Sequence, residues 1–199
     1  MPDIQNRSAF EGLFSYGIHG ARRGQGVLIE AAPERVLILA KGNPKDTGFI
    51  APIQKVLELK LPLVAGQTND NGKIRVLWVG PDRWLVKAPC STHSELVFKM
   101  SAAVPSSALN DVTHGRATLR LKGEDVRNIL AAGCPLDLHP SHFKTGQCAL
   151  TLLGHLNIII DCFCNDTFEV TVTRSYAEEL VNWITRNAGE YGYTIALSA

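Results

Sequence analysis

Apolar and polar positions fall into clear blocks only beyond about residue 35. Val36-Leu37-Ile38-Leu39-Ala40 is a short apolar run, which predicts a buried strand closed by Gly42-Asn43-Pro44. Residues 49–59 place Ile53, Val56 and Leu57 at helical spacing, and residues 66–72 carry only loop chemistry. Residues 73–79 and 84–88 read as two strands joined by Gly80-Pro81-Asp82-Arg83. Thr92 with Glu95 is a capping box that would open a helix running to about Val104.

The second half repeats this order. Residues 117–121 predict a strand, followed by a helix with Val126, Ile129 and Leu130 on one face and a stop at Gly133-Cys134-Pro135. Residues 147–153, 156–163 and 168–173 read as strands. Ser175 with Glu178 is a second capping box, opening a helix with Tyr176, Leu180, Trp183 and Ile184 inward. A constant offset of 84 pairs Asp82 with Asp166, Ile74 with Ile158, Val86 with Val170, Ser91 with Ser175 and Leu96 with Leu180. The fold class that follows is α+β, built from two related strand–hairpin–helix units, about 35–107 and 108–190, within a domain spanning 35–199. Residues 1–34 mix Gly, Arg and short apolar pieces without a sustained period, and are expected to form an irregular N-terminal arm with at most short elements, able to lie on a partner.

Composition narrows the function classes. The 199 residues carry 20 Lys+Arg against 19 Asp+Glu, so no strong field attracts nucleic acid. Residues 1–99 hold 13 basic and 9 acidic side chains and residues 100–199 hold 7 and 10, an asymmetry better suited to docking a protein than a polyanion. No apolar run has the length of a membrane span, and neither a secretory signal nor a twin-arginine export pattern at Arg22-Arg23 is recognisable. A cytoplasmic location is expected, where the sequons at Asn6 and Asn165 have no meaning. The five cysteines include no Cys-x-x-Cys pair, and Cys162 and Cys164 on a strand would share one face as small core residues.

Candidate chemistry is sparse. Gly24-Gln25-Gly26 lacks the third glycine and the strand–helix setting of a dinucleotide site. His139 and His142, near Cys134 and Cys148, have ligand types for zinc, but their spacing fits no common zinc module and Pro140 keeps them out of a helix. A loop with ordinary histidines is the better account. Asp111 lies near His114, yet on a strand the two would point to opposite faces, which favours a polar strand entry or turn. Asp137, between Leu136 and Leu138, is either a carboxylate of raised pKa or the cap of a local turn. Trp78 and Trp84 read as core or interface packing.

Several segments carry a family resemblance. Asp111-Val112-Thr113-His114-Gly115, Leu121-Lys122-Gly123-Glu124-Asp125 and the run from Leu130 to Asp137-Leu138 resemble motifs of the glycine-cleavage T-protein (aminomethyltransferase) folate-binding superfamily. Leu77-Trp78-Val79-Gly80-Pro81-Asp82-Arg83-Trp84-Leu85 and Cys134-Pro135-Leu136-Asp137-Leu138-His139-Pro140 are similar to the gamma-subunit family of heterotetrameric sarcosine oxidases. So are Phe143 through Gly146-Gln147-Cys148-Ala149 to Thr151, the stretch from Phe168 to Arg174-Ser175-Tyr176-Ala177, and the Arg7-Ser8 start.

The resemblance implies a subunit of a flavoenzyme complex that demethylates sarcosine to glycine. Hydrogen peroxide is released, and the one-carbon unit leaves as formaldehyde or passes to tetrahydrofolate. It further implies that FAD, FMN, NAD and zinc reside on other subunits, that alpha, beta and delta chains are the partners, and that the large alpha subunit is the main contact and binds folate. Asp137 aligns with the superfamily's catalytic Asp, but Pro135 and Leu136 replace its Thr and Asn. Leu156-Asn157 stands where a glycine pair lets backbone approach the ligand. On these grounds no catalytic, cofactor-binding or metal residue is assigned to this chain, Asp137 being the one aligned candidate. The alternatives are a gamma-like subunit of another secondary-amine dehydrogenase, such as one acting on N-methylglutamate, and a stand-alone folate-dependent aminomethyltransferase.

Overall fold

A computed structural model describes residues 8–20, 26–105 and 108–196. Asn6, Arg7, Arg22, Arg23, Gly24 and Gln25 lie outside the described residues. The first unit runs β3 (Arg35–Lys41), α1 (Thr47–Leu57), β4 (Thr68–Asp70), β5 (Arg75–Gly80), β6 (Arg83–Pro89) and α2 (His93–Ala103). The second runs β8 (Arg116–Lys122), α3 (Val126–Ala131), β9 (Cys148–Leu153), β10 (Leu156–Cys164), β11 (Thr167–Thr173) and α4 (Ala177–Ala188). Four further strands flank them: β1 (Gly17–His19), β2 (Val27–Ala31), β7 (Leu109–Asp111) and β12 (Tyr193–Ala196). The fold is α+β.

Two sheets result, ordered β4-β5-β6-β3-β7 and β1-β12-β2-β8-β11-β10-β9. Each buries its outer face under its own helices. Val36, Ile38, Val76, Trp84 and Val86 meet Ile53, Leu57 and Met100 of α1 and α2. Leu119, Leu121, Ile160, Phe168 and Val170 pack in one cluster with Ile129 and Leu130 of α3 and Leu180 and Ile184 of α4. A smaller cluster of Leu37, Leu77, Val79, Leu85, Cys148 and Ile159 joins the inner faces of the two sheets. The layering is therefore helices, sheet, sheet, helices, with strand alternation deciding which side chains enter the middle.

The two units pair in matching registers. Trp78 lies opposite Trp84 and Cys162 opposite Phe168, and in each hairpin a bulge follows, between Trp78 and Gly80 and between Cys162 and Cys164. That bulge corrects one expectation: Cys162 is buried while Cys164 is exposed, because the extra residue breaks the two-residue alternation. Asp82, at the first turn, holds a left-handed conformation (φ 57°). Gly123, at φ 136°, abuts the Gly26 carbonyl so closely that no side chain would fit.

Within the first 34 residues, the described ones, 8–20 and 26–34, fold onto the domain where an irregular arm lying on a partner is expected. Val27 and Ile29 are buried, and β2 sits inside the larger sheet between β12 and β8. Phe10 is buried too and stacks on Phe14 at 5.4 Å, so this segment covers its own domain while Tyr16 and Ile18 stay exposed. Neither capping box forms. Thr92 Oγ1 donates to the Pro89 carbonyl at 2.7 Å, and both helices open instead from a 3-10 turn, at 90–92 and 174–176. Tyr176 accordingly points outward. Asp46 caps α1 through Gly48 N at 2.8 Å and starts it two residues before Phe49. Asn69 and Thr68, within the stretch that reads as loop, form the short edge strand β4.

Residues 132–147 cross from α3 to β9 without helix or strand, and Arg127 holds them. Its guanidinium donates to the carbonyls of Leu138, of Phe143 at 2.9 Å and of Asn165 at 2.9 Å, and stacks over the Phe168 ring at 4.8 Å. Replacing Arg127 with Ala should cost roughly 3 kcal/mol, since charge-assisted bonds to three carbonyls are lost together. Urea unfolding checks this, and a loss below about 0.5 kcal/mol would show that the segment holds itself.

Candidate functional site

The gap between the sheets collects charge as well as leucine. On β5 and β6 the inward positions include Arg75 and Lys87, while on β10 and β11 they include Asp161 and Glu169; all four are buried. Arg75 clasps Asp161 through Nε at 2.9 Å and Nη2 at 2.7 Å, and reaches Asp70 at 3.1 Å. Lys87 Nζ donates to Asp161 at 3.2 Å and to Glu169 at 2.9 Å. Arg120 donates to the other Glu169 oxygen at 2.6 Å, and Lys122 pairs with Glu30 at 2.7 Å. Phe163 receives the guanidinium groups of Arg75 and Arg120 at 4.8 and 5.4 Å from its ring centre.

The electrostatics follow from this pairing. Burial alone would lower the pKa of Lys87, but Asp161 and Glu169 outweigh it and hold the ammonium charged. Arg75 is raised likewise against burial, by Asp161 and then Asp70. Burial would raise Glu169, yet Lys87 and Arg120 pull it down to about 2. Cys148 borders the network and is pushed up to about 12, by burial first and by Asp161 second. Its thiol donates to the Trp78 carbonyl at 3.2 Å, so it serves as a packed donor and not as a nucleophile.

At one end the gap opens into a cleft of about 120 Å³. Lys87 and Glu169 form part of its lining, with Arg35, Arg116, Arg174 and His114 around them and Phe10, Ala31 and Ala117 as apolar wall.

The residues singled out from sequence fall elsewhere or apart. Asp111 pairs with His93 at 2.5 Å, not with His114, and accepts from Thr113 N at 2.9 Å. Burial opposes ionisation of Asp111, but the bonds from Thr113 and His93 leave its pKa lowered. Asp137 is exposed and accepts from the His139 amide at 2.9 Å, the local turn cap of the two readings. His139 Nδ1 meets Ser141 Oγ at 2.7 Å. Cys134 packs in the larger core and Cys148 between the sheets, so the structure does not gather these four zinc-type residues at one place. Among the described residues no group of three or more His, Cys, Asp or Glu side chains is placed to hold a metal ion. Leu156 is buried at the start of β10 and Asn157 is exposed. Trp84 is core, donating to the Pro62 carbonyl at 2.7 Å, and Trp78 is half-buried. Neither turn chemistry nor periodicity points to the ion network itself. Its trace is visible, however, as single charges inside apolar strands: Arg75, Lys87, Asp161 and Glu169.

Comparison with known proteins fits this architecture. The profile of the family described as sarcosine oxidase, gamma subunit, matches residues 41–190. The chain belongs to the sarcosine oxidase gamma subunit family. Sarcosine oxidase subunit gamma of Corynebacterium sp. (strain P-1) is 29% identical over 154 residues, covering 74% of this chain and 73% of that one. A chain of the heterotetrameric sarcosine oxidase from Corynebacterium sp. U-96, solved in complex with pyrrole 2-carboxylate, superposes with a TM-score of 0.81 at 22% identity, covering 92% of this chain and 94% of that one. The glycine cleavage system aminomethyltransferase T from Bartonella henselae shares the fold with a TM-score of 0.60 at 13% identity, over 87% of this chain and 48% of that one. The gamma-subunit fold is thus aminomethyltransferase-like, as the sequence motifs imply.

The depressed Glu169 sets a pH dependence on this family member. Its stabilising charge is fully present above the ordinary glutamate value of 4.5 and is lost as pH falls toward about 2. Between those limits the unfolded chain takes up a proton that the folded chain refuses. Roughly 3 kcal/mol of stability should disappear over that window. Glu169→Gln should flatten the same part of the profile. A wild-type profile as flat as the variant's, in denaturant unfolding at successive pH values, would contradict the assignment.

Proposed function

We propose that this chain is a structural, non-catalytic subunit of a sarcosine oxidase-type heterotetramer. The observation that carries the reading is the family match over residues 41–190, supported by an equivalent fold along nearly the whole chain in a heterotetrameric sarcosine oxidase. As a gamma-family member the chain takes part in an oxidoreductase complex without carrying the oxidation itself. Its partners are the alpha, beta and delta chains, with alpha as the main contact. FAD, FMN, NAD, zinc and tetrahydrofolate belong to those partners. The substrate is sarcosine, its methyl group leaving as formaldehyde or methylenetetrahydrofolate with hydrogen peroxide as co-product, and the location is cytoplasmic. Among the described residues no helix is long and apolar enough to cross a membrane.

Features of the chain support the non-catalytic part of this reading. Asp137, the position aligned with a catalytic Asp, spends one oxygen on its own turn and lies in the open. The charges that are buried are spent on one another. The β9–β10 hairpin meanwhile exposes Leu150 and Leu152 at a sheet edge, surface of a kind that subunits cover. The same reading takes residues of about 35–107 and 108–190 as two copies of one unit, with β1, β2 and β12 added to the second.

Co-expression tests it. A tagged chain should co-purify with the flavoprotein subunits, and an Asp137→Asn complex should turn over sarcosine within about tenfold of the wild type. Flavin bound to this chain alone, or loss of folate-coupled turnover in a fully assembled Asp137→Asn complex, would restore the transferase reading.

A further inference from the structure

The matching registers place two arginines at equivalent positions around the mouth of the cleft. Arg35 opens β3 opposite Pro89, and Arg116 opens β8 opposite Thr173. Arg35 shares its strand face with Leu37, and Arg116 with Thr118 and Arg120, so both belong to the inward set, and both line the cleft. None of the ion pairs among the described residues involves either one. Arg116 makes a 3.4 Å bond to Thr173 Oγ1, and the Arg35 Nε–H is buried without an acceptor among the described residues. A buried guanidinium donor left in that state carries an uncompensated desolvation cost, and an acceptor arriving from outside would remove it.

The rest of the lining defines the acceptor. Lys87 and Glu169 are satisfied by each other, by Asp161 and by Arg120, so they add no net attraction. Arg35 and Arg116 then outnumber Glu34 at the mouth. The nearby carboxylate of Glu34 disfavours a dianion, whereas a monoanion meets a surplus of positive charge. Phe10, Ala31, Pro33 and Ala117 supply an apolar wall, and about 120 Å³ admits only a few heavy atoms. We propose that the cleft binds a small aliphatic carboxylate, its two oxygens shared between Arg35 and Arg116 and its short apolar tail against the wall. The fork geometry of guanidinium suits this bridging better than ammonium would.

Titration calorimetry of the full-length chain with butyrate, against butyramide and inorganic phosphate at equal ionic strength, tests the site. Saturable butyrate binding is expected, with butyramide silent and phosphate weaker. Arg35→Gln and Arg116→Gln should each weaken butyrate at least about tenfold. Arg116 is half-buried and its bond to Thr173 is long, so its variant keeps the test independent of how well Arg35→Gln folds. Lack of saturable butyrate binding by the wild-type chain would overturn the proposal. So would equal affinity in a folded Arg116→Gln chain, or phosphate binding more tightly than butyrate.

Discussion

Asp161 has no exposed surface, and everything between the two sheets is arranged around that fact. A carboxylate held away from water is tolerable only when paired and fully hydrogen-bonded. Arg75 and Lys87 meet the need from the opposite sheet, and Glu169 then balances the charge that Lys87 brings. Such a network adds little net stability over a well-packed apolar layer, but it tolerates few alternatives. If β5 or β10 slipped by a single residue in its pairing, its inward charge would turn outward and its partner would remain buried alone. The contact between the halves is therefore specified by pairing, with six apolar residues as filler, whereas the outer layers are specified by the usual leucine and isoleucine packing.

The two units use one plan and diverge where they meet the outside. Hairpin register, bulge and helix position correspond at an offset of 84, and even the 3-10 entries at 90–92 and 174–176 match. The second hairpin is longer: Thr68 faces Leu77 in the first unit, whereas Cys148 faces Asp161 in the second. The additional residues extend β9 and β10 and bring Leu150 and Leu152 to the surface. The second sheet also gains β2, β12 and β1, so only the first keeps the simpler five-stranded form. These differences give a chain with two similar halves an inequivalent pair of outer edges, which suits a subunit that must dock in one orientation.

Local rules captured what local forces decide. Hairpins with Gly-Pro-Asp chemistry and helices with a clean apolar face were legible because turn residues and periodicity act over a few positions. The strand at 27–31 is not legible locally although Val27 and Ile29 alternate with Leu28 and Glu30, since the glycines before it resemble loop and its partners lie some 90 and 165 residues away. Thr92 and Ser175 have capping-box spacing, yet tertiary placement of each strand end draws the chain through a 3-10 turn first. The ion network was legible only as anomaly. A lone Lys87 or Asp161 in an apolar run signals a buried partner but does not say which one, because that depends on how two sheets stack. Asp137 shows the converse: it stands where the superfamily has a catalytic Asp, while its surroundings make it an exposed turn residue.

A double-mutant cycle on Arg75→Met and Asp161→Leu measures most directly whether charge pairing fixes the join between the halves. Each single variant strands a buried charge and should be strongly destabilised, while the double variant removes both and should recover much of the loss. The account predicts a coupling energy above about 2 kcal/mol in urea unfolding. Additivity within about 0.5 kcal/mol would show that Arg75 and Asp161 are held by the fold around them and do not themselves set how the sheets meet.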